Sequence, residues 1–198
     1  MRKHGSCQLC KWRRQLLVAL FYNMKKGQVW VETVVYTLIG LALIGLVLTI
    51  MTPKINEFKD KSIIDQTIDT LRVLDSKVSE VIQEGAGNVR NVELGIKRGD
   101  IYINFSSDEI YYELQDSRAL YSEPGVETSL GRIRVLTTEG TVNHKVRLTL
   151  SYESDLESPD GLEFRKYTAA AVPYRFSLSH LGYSQDKREI IEIKELAR

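Results

Sequence analysis

Few residues in this chain stand at spacings that do chemistry. Cys7 and Cys10 form a lone CxxC with His4 three residues before it, the start of a zinc knuckle or a redox pair. A structural zinc site needs four ligands, and no second CxxC follows, so no metal is expected. His144 and His180 are isolated, with no GxSxG elbow, HExxH, P-loop or GxGxxG anywhere in the chain. Each reads as a packed or surface histidine, His144 at an inward position of a strand pattern. Gly85-Ala86-Gly87 begins a GxGxxG, but Arg90 fills the place of the third glycine. The acidic run Glu153-Ser154-Asp155-Leu156-Glu157 lacks the glycine turn and terminal glutamate of an EF-hand and reads as solvated charge. Asn104-Phe105-Ser106 is an N-x-S acceptor for N-glycosylation. The tyrosines suit strand packing or an adhesive surface. No cofactor is implied, and an enzyme is the least favoured class of function.

The remaining pattern is one of charge. At 198 residues and 22.6 kDa, with 43% hydrophobic and 27% charged residues, composition excludes disorder, collagen and a disulfide-dense scaffold. The net charge of +1 conceals an asymmetry, because residues 1–27 hold seven of the 27 basic residues and no acid, leaving 20 against 26 acids beyond them. The basic excess is a leader rather than a patch within a folded domain, which argues against a nucleic-acid partner.

The leader precedes Thr33 to Thr52, 20 residues without a charge. As a helix these cover about 30 Å, the thickness of a bilayer's hydrocarbon core. The stretch is apolar all round, whereas a core helix alternates with polar positions. The positive-inside rule then places the N-terminus in the cytoplasm and the rest of the chain outside. A secretory signal peptide is shorter and ends in a small-residue cleavage site, but this span ends in Ile50-Met51-Thr52-Pro53. In front of it stand Lys25-Lys26-Gly27-Gln28-Val29-Trp30-Val31-Glu32. A lone carboxylate at the edge of an uncharged span is either functional, as ionisable groups in membrane helices usually are, or an interface marker favoured by the helix dipole.

Basic residues, a glycine, then glutamate at the fifth position after it and an apolar helix resemble the class III signal peptide of archaeal type IV pilin-like proteins. The resemblance covers about Lys25 to Lys54; Trp30 and Tyr36 stand where the family often has serine and leucine. It implies recognition of Lys25 and Lys26 by a membrane-embedded prepilin peptidase, cleavage between Gly27 and Gln28, and retention of the apolar helix as a polymerisation stem. Glu32 would neutralise the N-terminal amine of a neighbouring subunit, since an unpaired charge in an apolar bundle is far more costly than a compensated pair. Leaders of this class are often very short, which makes Met24 a candidate translation start. The family implies other pilin-like subunits as partners and a cell-surface filament as destination. The alternative is a single-pass anchored domain that binds or scaffolds without polymerising.

After Pro53 the apolar period becomes helical. Ile55, Phe58, Ile64, Ile68, Leu71, Leu74, Val78, Val81 and Ile82 predict an amphipathic helix, ending at Gly85-Ala86-Gly87 where glycine permits a left-handed cap. From Val89 the period falls to two. Val92-Leu94-Ile96, Ile101-Ile103-Phe105 and Ile110-Tyr112-Leu114 predict a three-strand meander, followed by strands at Val142–Leu150, Ile133–Leu136, Tyr174–Leu178 and Ile190–Ile193. Turns fall at Ser122–Gly125 and Glu157–Gly161. The expected architecture is α+β, a long N-terminal helix with a transmembrane half and an amphipathic half, packed against a C-terminal antiparallel sheet. Its parts are a leader over 1–27, a polymerisation helix over 28–53, a stem over 54–86 and an extracytoplasmic sheet domain over 87–198. No cysteine follows Gly27, so no disulfide holds that domain together.

Overall fold

The structure is a computed structural model that describes the backbone of residues 8–197 and the side chains of residues 30–197. A helix, α1 (Gln8–Glu84), is followed by ten strands, and two compact units divide at Thr52 and Pro53. In the first unit every described side chain is exposed except Gly40, which is half-buried. Among the described residues, no side chain from Trp30 to Thr52 is buried.

The second unit is α+β, as the residue periods predict. Its helical part buries Ile64, Ile68, Leu71, Leu74, Val78 and Val81, three and four residues apart as one face of a helix requires. Two members of the predicted stripe do not join that face: Ile55 and Phe58 are exposed, at 48% and 70%. In the gap before Ile64 the buried residue is Asp60. The helix ends at Glu84, where Gly85 and Gly87 take φ of 84° and 91°. The Asn88 carboxamide donates to the Glu84 carbonyl at 2.7 Å, satisfying one of the acceptors left at a helix end.

The strands are β1 (Val89–Leu94), β2 (Asp100–Asn104), β3 (Glu109–Ser117), β4 (Glu127–Leu130), β5 (Ile133–Glu139), β6 (His144–Ser151), β7 (Asp155–Glu157), β8 (Phe164–Thr168), β9 (Tyr174–Tyr183) and β10 (Glu189–Leu196). They form two sheets rather than the single sheet expected, in the orders β1-β9-β10-β7 and β4-β5-β6-β3-β2-β8. All pairings are antiparallel except β10 with β7. The predicted meander is therefore wrong in its first member: β1 pairs with β9, Val92 opposite Phe176, while β2 and β3 form a hairpin. Alternation reports which face a residue takes, not which strand lies beside it. The turn from β1 to β2 passes so close to β3 that a Cβ on Gly99 would stand 2.5 Å from the Glu113 carbonyl oxygen and 2.7 Å from the Tyr112 hydroxyl. With its φ of 79°, Gly99 is fixed by both space and conformation.

Both sheets and the helix face share one buried cluster, which includes Leu94, Ile103, Tyr112, Leu148, Phe176 and Ile193. Polar contacts add to the packing of helix on sheet. The Tyr121 hydroxyl donates to Asp65 at 2.7 Å and Arg132 pairs with Asp75 at 2.9 Å.

The solvent face of the larger sheet carries charges in opposed pairs across strands. Glu113 on β3 accepts from Arg147 Nε at 2.8 Å and pairs with Lys145 at 2.9 Å, both on β6. Burial works to raise the Glu113 pKa, but its two cationic partners together outweigh this and hold it below the ordinary carboxylate range. A depressed carboxylate stabilises the fold above its unfolded pKa, and that contribution is lost as pH falls through the lower folded value. Glu113→Gln should therefore lower the unfolding temperature at neutral pH, and the gap from wild type should close below about pH 4.3. Unfolding curves across pH test this, and a gap that persists in acid contradicts it.

Candidate functional site

The first candidate is the apolar helix. Trp30, Tyr36, Leu41, Leu46 and Ile50 stand more than half exposed on different faces, and the helix is long and apolar enough to cross a membrane, with none of its apolar window buried within the protein. Its polar atoms suit a dry environment. The hydroxyls of Thr37, Thr49 and Thr52 donate to the carbonyls of Val34, Gly45 and Leu48 at 2.7 to 2.8 Å, so they carry no unmet donor into lipid. Glu32 is exposed at the N-terminal edge of this span. Lys25, Lys26, Gly27 and Gln28 fall within the helix bounds, but their side chains lie outside the described residues, as does that of Cys10. His4 and Cys7 lie outside them altogether.

The second candidate is a cleft of about 610 Å³ lined by Asn56, Lys59, Asp60, Ile63, Arg98, Asp116, Arg118 and Asn143. Four segments build it: the start of the amphipathic helix, the β1–β2 turn, the end of β3 and the β5–β6 turn. Asp60 is its organising residue. Its side chain is 5% exposed, and burying a carboxylate costs heavily unless its oxygens are satisfied. One oxygen is ion-paired with the Arg98 guanidinium, and the other accepts from the Arg118 backbone N–H at 2.8 Å. Arg98 also donates to the Asp116 carbonyl at 3.1 Å. That carbonyl faces Arg98 because β3 bulges between Leu114 and Ser117, with Asp116 at a φ of 54°. Behind the cleft the Tyr112 hydroxyl donates to the Arg98 carbonyl at 2.7 Å, and burial pushes that phenol up to about 12.

Sequence reading passed over this cleft. Asp60 had one signal, an acid four residues before Ile64 in phase with the buried stripe. The convergence of Arg98, Arg118 and Asn143 had none, because it depends on which strands are neighbours.

Other residues of interest are scattered. Asn104 ends β2 opposite Glu109 and Phe164, and its carboxamide oxygen accepts from the Ser106 N–H at 3.1 Å and the Ser106 hydroxyl at 2.7 Å. It closes the hairpin turn. His180 is buried on β9, where its Nδ1 accepts from the Gly182 N–H at 3.0 Å. His144 is half-buried at the start of β6, and Val142, expected in that strand, is 87% exposed in the turn before it.

The acidic run is not a solvated loop. Asp155–Glu157 forms β7, with Leu156 buried, and Asp155 shares Arg188 with Asp108 at 2.7 and 2.6 Å. A single buried leucine in three residues is too short a pattern to read as a strand. The tyrosines divide between the core and the outer face of a sheet. Tyr112, Tyr152, Tyr167 and Tyr174 are buried, while Tyr102 stacks on Tyr111 at 4.9 Å on the outer face of the larger sheet. Among the described residues no group of three or more His, Cys, Asp or Glu is placed to hold a metal ion.

No protein-family model, curated protein or solved structure matches this chain.

Proposed function

We propose that this chain is a type IV pilin-like subunit, a structural protein made in the membrane and assembled into a surface filament through its N-terminal helix. The observation that carries the reading is the apolar helix left uncovered on every side, in a protein whose second unit closes its own core. Such a surface requires lipid or other helices around it. Gly40 and Gly45 favour a destination among helices: a Cβ at either would meet nothing in this chain, and each costs a helix about 1 kcal/mol relative to alanine. Small residues let helix backbones approach closely in membranes.

On this reading the basic leader orients insertion with the N-terminus in the cytoplasm. A prepilin peptidase cuts between Gly27 and Gln28, and subunits then exchange lipid contacts for helix packing, with Glu32 setting register. The β domain stands outside the membrane, and its acidic balance and length favour a minor or tip subunit.

The N-terminal residue and intact mass of the protein from its native membrane test the proposal. A chain beginning at Gln28 is expected. An intact leader would refute processing and leave a single-pass anchored domain.

A further inference from the structure

We propose that the Arg98 cleft binds the phosphate headgroup of an anionic lipid. The inference rests on the membrane placement of residues 33–52, not on polymerisation. Lys59, Arg98 and Arg118 converge on the cleft, with the amides of Asn56 and Asn143 as neutral partners and Ile63 as an apolar wall. Among the described residues the side chains of Lys59 and Arg118 are exposed and without an ion pair.

Two acids also line the site, and they do not act alike. The Asp60 carboxylate is spent, with one oxygen on Arg98 and the other on the Arg118 N–H. It anchors the guanidinium from behind, a fixed planar donor suited to a phosphate. Asp116 stands exposed at the rim. Three cations against two acids leave the cleft one net positive charge.

The covalent chain ties this site to the bilayer surface. Asn56 follows Thr52, the last residue of the uncharged span, by four residues, and four residues reach at most about 14 Å however they are folded. The headgroup layer extends about 5 to 8 Å beyond the hydrocarbon. One wall of the cleft therefore cannot leave the neighbourhood of the lipid phosphates, where their local concentration far exceeds that of a soluble phosphate.

The test uses the full chain purified in mild detergent, offered equal amounts of phosphatidylglycerol and phosphatidylcholine, with retained lipid counted by native mass spectrometry. Phosphatidylglycerol should be retained over phosphatidylcholine. The preference should fall about fivefold in Lys59→Gln and again in Arg118→Gln, the effect of one cation at a lipid surface. Lys194→Gln, exposed on β10, should not change it. Melting curves should be the same for all three variants, since neither cleft side chain is buried. Equal retention of the two lipids, or an undiminished preference in the double variant, overturns the proposal. Displacement of the lipid by millimolar inorganic phosphate assigns the cleft to a soluble ligand and overturns the lipid source. Alkaline carbonate extraction reads the membrane placement separately. Release of the wild-type chain refutes the span and this inference with it, whereas a retained chain without lipid preference refutes the cleft assignment alone.

Discussion

On the pilin-like reading proposed above, Glu32→Gln is expected to abolish filaments while leaving the chain in the membrane and its leader cut. In the monomer the carboxylate sits exposed at the edge of the apolar helix, where, with that helix in a bilayer, headgroups and water would solvate it. In a bundle of such helices that solvent is gone. Removing one partner of a buried pair costs about 3 to 5 kcal/mol, because the other charge is left uncompensated. At each subunit contact even the lower figure weakens association more than a hundredfold, and a filament multiplies that loss along its length. Insertion depends on the span itself, and exchanging an acid for an amide makes its edge no more polar. Electron microscopy of sheared surface fractions should find no filaments, with the variant at wild-type abundance in the membrane and beginning at Gln28. Normal filaments would refute the register role; loss of the protein from the membrane would show that Glu32 acts in insertion or folding instead.

What the residues disclosed about this fold depended on the range of the interaction concerned. The helix face from Ile64 to Val81 was legible because packing on one side imposes a period of three to four, and the strands of the β2–β3 hairpin because burial on one face imposes a period of two. The pairing of β1 with β9 was hidden, since a strand at Val92 alternates in the same way whichever neighbour it has. Short elements escaped for a related reason: β7 offers one buried side chain, Leu156, and β4 offers none. Ile55 and Phe58 keep the helical phase without the burial, and both lie within six residues of the uncharged apolar stretch that ends at Thr52. The cleft lies at the far end of this scale. It is made where four segments meet, and its centre is a buried acid that hydropathy places on the outside.

That acid leads to an asymmetric expectation for Asp60 and Arg98. Arg98→Met, which keeps an apolar stem but removes the charge, should be the more damaging single change, costing about 3 kcal/mol. It strands a carboxylate that is 5% exposed and leaves it the Arg118 N–H in place of a charged partner. Asp60→Asn should cost about 1 to 2 kcal/mol. Its amide oxygen still accepts from the Arg118 N–H, and the guanidinium it releases is 41% exposed and can re-solvate. For a unit of this size each kcal/mol moves the unfolding midpoint by roughly 2 to 4 °C, so the two variants should be separable in one set of thermal melts. The double variant should be no worse than Arg98→Met alone, because removing both charges leaves neither uncompensated. If Asp60→Asn proves the more damaging, the buried carboxylate is not the element at risk, and the cleft is held together by its contact with the β3 bulge instead. The expected order would mean that Asp60 is retained in the core, at a cost in desolvation, because it fixes the guanidinium of Arg98 at the mouth of the cleft.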